Sequence, residues 1–292
     1  MRLPAPYRLP RPTVAPLAGV LAAALATGLL IGFPCSAATP STAATLPTVD
    51  MEATVKAAQI DPRRADDTHT PGASASVRLV EQALQAKHLL AAKWVDGYFG
   101  TTTVAAYAAY QRSLGYSGLA ANGLPGRVSL TKLGQGRYTV TRPIAPGARL
   151  DLGSGVLVDA RTEAMLTAAE HALGRTLALD QGSYNPGGDP TSAGTHDGGG
   201  VVDVSVKGMT AAERVTVAKA LRQVGFAAWV RTPSQGDWPY HIHAVAISDT
   251  DLSSPAQHQV GDYYLGLDGL ADRAPDDGPE VTIRTWEEFQ RQ

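Results

Sequence analysis

The chain contains a single cysteine, Cys35, among its 292 residues. One thiol cannot form a disulfide within the chain, so the fold cannot depend on such a cross-link. An excess of charge is also missing, because 25 basic residues stand against 27 acidic ones, a formal net charge of −2. Nothing in this balance indicates a nucleic-acid partner. If the N-terminal segment that contains Cys35 is removed, any metal site would have to use histidine and carboxylate ligands.

Long apolar runs are scarce, and the clearest one is Val14–Phe33. Three arginines precede this run, and small residues follow it. That order of segments is typical of a secretory signal. We therefore predict a signal peptide over residues 1–37, with cleavage near Ala37 or Ala38, and a secreted or wall-associated protein.

The same run allows two other interpretations. It is about as long as a spanning helix, which needs roughly 20 residues, so an uncleaved membrane anchor is the alternative. A lipid-modified Cys35 is disfavoured because Phe33 and Pro34 stand where small residues are expected. Cleavage would remove the only cysteine and leave 22 basic against 27 acidic residues, a net charge of about −5. We expect the mature protein to be a monomer.

Composition divides the rest of the chain into segments. Residues 38–75 are rich in Ala, Thr, Pro, Ser and Asp and are predicted to be an extended or disordered linker. Two domains are predicted, at 76–134 and 154–252, with a joining segment at 135–153. The C-terminal extension, 253–292, is expected to be peripheral.

The first domain shows helical periodicity. One helix is expected from Val77, where apolar residues recur at helical spacing. A second is expected over Thr101–Leu114, capped by Thr102 or Thr103, and a short third one opens at Ser129. These elements predict a small, all-α, three-helix unit.

The turn and second helix of this unit contain a specific motif. Its pattern, D-G-x-F-G-x-x-T-x-x-A-x-x-x-x-Q, consists of Asp96, Gly97, Phe99, Gly100, Thr103, Ala106 and Gln111. The segment closely resembles the peptidoglycan-binding domain of cell-wall hydrolases. The resemblance implies that the partner is the glycan and stem peptide of the wall, without indicating the contact residues. A plain helical bundle with tight glycine turns would explain the fold but not the full pattern.

The second domain mixes helices and strands. A helix is predicted over Asp159–Gly174, with Asp159 or Thr162 as its cap, and another over Thr210–Gly225, with a capping box between Thr210 and Glu213. This order, with short connections, predicts an α+β fold with an antiparallel sheet. The predicted strands lie within Thr176–Tyr184, Val201–Val206, Phe226–Thr232 and Tyr240–Ile247.

Strand alternation brings polar side chains together. Because successive side chains point to opposite faces, His241 and His243 share one face of the last strand, and Asp203 lies on one face of its own strand. We expect these two polar faces to meet. His196 lies on the glycine-rich loop before the Asp203 strand, and Gly198–Gly200 allow that loop to turn sharply.

A His-x-His pair on a strand is compatible with a metal site, and also with two histidines satisfied in an ordinary core. Spacing alone does not decide whether one or both bind. The remaining histidines are interpreted as structural or surface residues: His69, His88, His171 and His258.

The order His-x6-Asp, helix, His-x-His resembles the superfamily of zinc D-Ala-D-Ala carboxypeptidases, penicillin-insensitive murein endopeptidases and the Hedgehog signalling domain. The resemblance implies a zinc ion held by His196, Asp203 and His243. It places His241 beside the metal, where it would steady the developing oxyanion. Asp237, six residues before His243, is the candidate base at the spacing of a Hedgehog-type glutamate.

The chain departs from this pattern in two places. The serine two residues before the first ligand is Gly194 here, with Ser192 nearby. The family's Ser-Gly-Tyr-Arg-Ser motif is replaced by DQGSYN, where Gln181 or Tyr184 is predicted to contact substrate. A neutral residue binds a terminal carboxylate less strongly than a bidentate arginine does. The missing arginine therefore argues against carboxypeptidase action and leaves endopeptidase action as the favoured alternative.

Three hypotheses follow from these patterns. The first is a secreted zinc peptidase that cuts stem peptides or cross-links of peptidoglycan, with the first domain tethering it to the wall. The second is a non-catalytic wall-binding protein whose degenerate second domain holds zinc without cutting, or holds nothing. The third is a histidine pair in an ordinary core, with no stoichiometric metal.

Overall fold

A computed structural model describes residues 45–292, and the predictions for residues 1–37 lie outside them. In the described part the architecture is mixed helix and sheet, compatible with the predicted α+β class. Its helices are α1 Met51–Ile60, α2 Ser74–Gln85, α3 Thr101–Ser113, α4 Arg127–Leu133, α5 Ala160–Leu173, α6 Ala211–Gln223, α7 Ser254–Tyr264 and α8 Trp286–Gln290. Its strands are β1 Thr48–Asp50, β2 Thr139–Thr141, β3 Arg149–Asp151, β4 Leu157–Asp159, β5 Leu179–Gln181, β6 Val201–Ser205, β7 Phe226–Arg231 and β8 His241–Ala246. Among residues 45–292, no helix is both long and apolar enough to cross a membrane.

The predicted linker, 38–75, is wrong over residues 48–63, which form regular structure. Strand β1 pairs in parallel with β2, and α1 follows directly. The Asp50 side chain caps α1 by accepting from the Ala53 N–H at 3.2 Å. Met51, Val55 and Ala58 recur at helical spacing and are buried in the same core as the next three helices. The many alanines and threonines around these residues obscured the periodicity.

The three predicted helices of the first domain are present as α2, α3 and α4. Gly100, rather than a threonine, occupies the N-cap position of α3, and no side chain caps that end. The predicted capping by Thr102 or Thr103 is therefore wrong. The Thr103 hydroxyl instead donates to the buried Glu81 carboxylate on α2 at 3.2 Å, which ties two helices together.

Helices α5 and α6 are capped as predicted. Asp159 accepts from the Thr162 N–H at 2.7 Å, which identifies Asp159 as the cap of α5. Thr210 and Glu213 form the reciprocal capping box that begins α6. These caps satisfy backbone donors that would otherwise lack partners at each helix start.

The main sheet has four strands in the order β5-β6-β8-β7, and all neighbours are antiparallel. One face packs on α5 and α6 through apolar side chains. The other face packs on α7. The first core includes Val202, Val204, Ile242, Ala244, Met165, Leu166, Val217 and Leu221, and the second includes Val201, Trp229, Val245, Leu252, Ala256, Val260 and Tyr263.

The C-terminal extension is not peripheral, so that expectation is wrong. Helix α7, capped by Ser253, buries its apolar residues against the sheet. Beyond it, Glu287 accepts from Arg161 of α5 at 2.8 Å, and Glu288 binds Lys56 of α1 at 2.6 Å. The last segment thus holds the first helix against the second half of the chain.

Candidate metal centre

Strand register brings the predicted polar residues together. Strands β6 and β8 pair so that Asp203 lies opposite His243 and Ser205 lies opposite His241. Directly opposite residues of antiparallel strands place their side chains on one face. The predicted meeting of the two polar strand faces is confirmed, and it occurs between neighbours in a single sheet.

The glycine-rich loop carries His196 to the same place. His196 lies in the short 3-10 turn Thr195–Asp197, just before β6. Gly200 has a φ of +75°, and a Cβ there would lie 2.9 Å from the Cβ of Asp249. A Cβ on Gly198 would lie 2.3 Å from the Asp251 carbonyl oxygen. Both positions therefore require glycine if the loop is to lie this close to its neighbours.

Three side chains form a group that could hold a metal ion: His196, Asp203 and His243. One ligand atom from each lies within 4.8 Å of the others. Asp203 Oδ1 lies 3.3 Å from His196 Nε2 and 2.9 Å from His243 Nδ1. All three residues are buried in the protein.

The hydrogen bonds around the two ring systems determine which nitrogens carry protons. His196 Nδ1 donates to the Gly182 carbonyl at 2.9 Å, so Nε2 of the neutral ring faces Asp203 as an acceptor. His243 Nε2 donates to Gln259 Oε1 at 2.9 Å. The amide of Gln259 is oriented by its own donation to the Gly269 carbonyl at 3.3 Å. His243 Nδ1 of the neutral ring is then an acceptor as well.

His241 repeats this arrangement at the edge of the group. Its Nδ1 donates to the Pro239 carbonyl at 2.9 Å, and its Nε2 lies 3.7 Å from Asp203 Oδ1. A single carboxylate oxygen is therefore surrounded by imidazole nitrogens whose protons are on the far side of each ring. Such a cluster of ligand atoms could hold a cation.

The spacing of these atoms suits one small ion. Two ligands that each lie about 2.0–2.1 Å from a tetrahedral zinc are roughly 3.3 Å apart. The observed separations of 3.3 and 2.9 Å from Asp203 Oδ1 are close to this value. Because both His196 and His243 also bond through their second nitrogen, their rings are already oriented, as the histidine ligands of metal sites are.

Burial and the contacts within the group shift the pKa values of Asp203 and His243. Burial lowers the pKa of His243, although the Asp203 carboxylate partly opposes the effect. Burial alone would raise the pKa of Asp203, but its contacts with His196 and His243 outweigh that and lower it. Hydrogen bonding and charge attraction from the two imidazoles thus keep Asp203 ionised despite its burial.

The candidate metal group, formed by His196, Asp203 and His243, lies in the wall of a cavity of about 1000 Å³. The C-terminal segment forms much of this cavity, although the sequence did not indicate whether the tail reached the cleft. Cavity-lining residues include Gln181, Asp189, Ser192, Arg231, Trp238, His241, His258, Gln259, Asp268 and Asp277.

The predicted substrate-binding residues, Gln181 and Tyr184, and the predicted base, Asp237, do not lie together. Gln181 lines the cavity of the metal group, and its Nε2 has no hydrogen-bond partner in the described part of the chain. Tyr184 lies instead in a second cavity of about 650 Å³ and donates to Asp251 at 2.8 Å. The side chain of Asp237 is exposed, and the residue is not among those that line the metal cavity.

Three residues near the group were not identified from the sequence. Gln259 and His258 come from α7, whose helix was not predicted, and Arg231 follows the apolar run of β7. His258 was interpreted as structural or surface, yet it lines the cavity. The available signals were the serine cap and early proline of α7 and the charged residue that ends β7.

Residues of the D-G-x-F-G motif have partners within the helical region. Gly97 has a φ of +87°, and its N–H donates to Glu81 Oε2 at 2.7 Å. Gln111 bonds the loop that follows α3, donating to the Leu124 carbonyl at 2.9 Å and accepting from Gly123 at 2.8 Å. These contacts explain the residues by the fold, so the motif does not identify the wall contacts.

Comparisons of the chain with protein-family models, curated proteins and solved structures found no match. The resemblance to peptidoglycan-binding domains and to zinc peptidases therefore depends on the sequence motifs alone.

Proposed function

We propose that this protein is an exported, zinc-dependent peptidase that hydrolyses amide bonds in the stem peptides or cross-links of peptidoglycan. One observation carries the proposal. The acceptor atoms of His196, Asp203 and His243 face one another in the wall of a cavity of about 1000 Å³. A cavity of this size accommodates a peptide segment, and a group buried in a closed core would lack such access.

Zinc is the metal that the ligand set favours. Two imidazoles and one carboxylate are ligands typical of catalytic zinc sites, which keep a further position for water or substrate. Bound there, zinc would acidify water and polarise a substrate carbonyl. Gln259 would support the site by holding the His243 ring in the orientation that its Nδ1 requires.

The proton transfer is assigned to His241. Its Nε2 lies 3.7 Å from Asp203 Oδ1, its Nδ1 proton is held by the Pro239 carbonyl, and the ring lines the cavity. Nε2 is therefore free to accept a proton from water and return it to the leaving nitrogen. The exposed position of Asp237 makes it a weaker candidate for this role than the sequence indicated.

The helical region is assigned to wall binding through its resemblance. Asn122 of this region donates to the carbonyls of Leu252 and Thr250 at 2.9 and 3.3 Å, close to the start of α7. The helical region thus contacts the segment that leads into α7, and α7 contributes His258 and Gln259 to the wall of the peptidase cavity. Tethering of this kind raises the local concentration of substrate.

The test is to incubate the purified protein with peptidoglycan and identify the products by mass. We expect stem-peptide fragments that disappear with a chelator and return with zinc. A His243→Ala variant should give no fragments. Absence of stoichiometric metal would contradict the proposal. Stoichiometric zinc without cleavage of any stem-peptide chemistry would support the non-catalytic wall-binding protein instead.

A further inference from the structure

Arg231 is a buried cation in the wall of the metal cavity. Arg231 is the last residue of β7, and only 2 % of its surface is exposed. Strand β7 pairs with β8 so that Arg231 lies opposite His241, and Trp229 lies opposite His243. Arg231 is therefore on the same sheet face as the metal group, one row along the strands.

The guanidinium of Arg231 is only partly satisfied. Nη2 donates to the Asp268 carbonyl at 2.9 Å, and the group lies 4.8 Å from the centre of the Trp229 ring. Nη1 has no hydrogen-bond partner among the described residues. Within the same part of the chain, no carboxylate oxygen forms an ion pair with it at 4.0 Å or less.

Two other buried arginines of this protein, Arg222 and Arg161, are paired with carboxylates. Arg222 donates through Nε to Ala228, through Nη1 to Pro279 and through Nη2 to the Asp276 carboxylate, all within 2.9 Å. Arg161 makes a bidentate pair with Glu287 at 2.8 and 2.9 Å. Arg231 alone of these three lacks a carboxylate partner.

Leaving a cation in this state is unfavourable. A buried charge without a partner costs free energy, and here burial lowers the pKa of Arg231 to about 10. Planar guanidinium groups bind carboxylates with two parallel hydrogen bonds. An anionic group that enters the cavity would supply the missing partner.

Distance along the strands limits which anion is suitable. Side chains two residues apart on one strand face are separated by about 7 Å. One extended residue spans about 3.5 Å, and the polar contacts at both ends add several ångströms. A carboxylate one residue beyond the bond to be cut would thus reach Arg231.

We propose that Arg231 binds the free C-terminal carboxylate of the peptide substrate, so that the protein releases a single C-terminal amino acid. This inference rests on the proposed peptidase activity and selects the carboxypeptidase form of it. In the reaction, the oxygen of water bonds to the carbonyl carbon, the C–N bond breaks, and the protons of water end on the leaving amine and the new carboxyl group. The sequence favoured endopeptidase action because the expected arginine motif was absent, but Arg231 supplies a guanidinium from another strand.

The experiment compares two synthetic stem peptides that differ only at the C-terminus, one a free acid and one a carboxamide. We expect the intact protein to cut the acid with a kcat/KM about 10- to 100-fold higher, the effect of one charged hydrogen-bonded pair. Arg231→Gln should reduce the acid-to-amide ratio towards one, mainly through KM, and Arg231→Lys should give an intermediate ratio.

Arg222→Gln is the matched control, because it removes a buried arginine that already has all its partners. It should lower both rates together and leave the acid-to-amide ratio intact. An intact protein that cuts both peptides equally would overturn the inference. So would an Arg231→Gln variant that loses both activities in equal proportion.

A binding measurement separates this inference from the proposed function. N-acetylalanine and its amide are titrated into the zinc-loaded protein and followed by nuclear magnetic resonance. Tighter binding of the acid, lost in Arg231→Gln, would support the role of Arg231 even if no peptide were cut. Equal binding of the two compounds would overturn it, whatever the hydrolysis assay showed.

Discussion

Two buried carboxylates in this protein have opposite surroundings. Glu81 accepts from the Gly97 N–H at 2.7 Å and from the Thr103 hydroxyl at 3.2 Å. Asp203 faces imidazole nitrogens whose ring protons are bonded elsewhere. Hydrogen-bond donors of this protein satisfy the Glu81 carboxylate, so its role is structural. Imidazole nitrogens surround the Asp203 carboxylate, and together with it they could hold a cation.

The pKa values of Glu81 and Asp203 are shifted in opposite directions. Burial raises the pKa of Glu81 to about 7, since its neutral partners only partly compensate for the loss of water. Burial opposes ionisation of Asp203 too, but its contacts with His196 and His243 lower its pKa. Burial alone therefore does not distinguish a structural acid from a candidate metal ligand. The chemistry of the facing atoms does.

The largest expected effect is the loss of metal on removal of a ligand. His243→Ala takes away Nδ1 at 2.9 Å from Asp203 and should reduce bound zinc from one ion per chain to a background level. Hydrolysis of peptidoglycan should fall with it. Glu81→Gln is the control, and it should keep the full zinc content. Inductively coupled plasma mass spectrometry measures the zinc content of both purified variants. Equal zinc in the two variants would contradict the distinction between Asp203 and Glu81.

The next effect concerns proton transfer. His241→Gln should keep zinc and lower kcat by about 10²- to 10⁴-fold, the usual contribution of a general acid or base. Asp237→Asn should change kcat far less, because its side chain is exposed and lies outside the cavity lining. Steady-state kinetics on a stem peptide decides between them. The opposite order of effects would return the role of base to Asp237.

The third prediction uses the raised pKa of Glu81. Its pKa is about 7 in the folded protein against 4.5 ordinarily, so the folded state holds this proton more tightly. The resulting stabilisation is present below pH 4.5 and is lost as pH rises through about 7, by up to roughly 3 kcal/mol.

Glu81→Gln has no proton to lose at this position. From pH 4.5 to 8.5, its free energy of unfolding should therefore fall less than that of the unaltered protein. Urea denaturation at several pH values measures the difference. Identical pH dependence in the two proteins would show that Glu81 titrates normally.

The smallest effect is expected from the residue that orients a ligand. Gln259→Leu removes the acceptor of the His243 Nε2 proton and should weaken zinc binding by about 10- to 100-fold. Gln257→Leu, on the same helix, removes a bond to the Leu252 carbonyl and should leave zinc affinity unchanged. Competition with a chromogenic chelator measures both affinities. Equal affinities would mean that Gln259 does not set the ring orientation.

Sequence patterns predicted the regular parts of the second half of the chain. Period-two alternation placed Asp203, His241 and His243 on the correct strand faces, and the capping residues Asp159, Thr210 and Glu213 correctly marked the helix starts. These are local features, determined by residues within one element. The run of glycines at Gly198–Gly200 likewise predicted the sharp turn of the loop before β6.

Contacts between distant residues could not be predicted in this way. Gln259 meets His243 only because α7 packs across the sheet, and nothing in the local pattern of α7 indicates that packing. Arg231 ends an apolar strand, and its incomplete bonding depends on the Asp268 loop. Helix α1 was missed because alanine and threonine dilute its apolar stripe.

Anomalous diffraction at the zinc absorption edge, from crystals of the purified protein, tests the metal site most directly. The account predicts one strong peak at a distance of about 2.0–2.2 Å from His196 Nε2, from an Asp203 carboxylate oxygen and from His243 Nδ1. No peak at these atoms after zinc has been supplied, or a peak held by other residues, would contradict it.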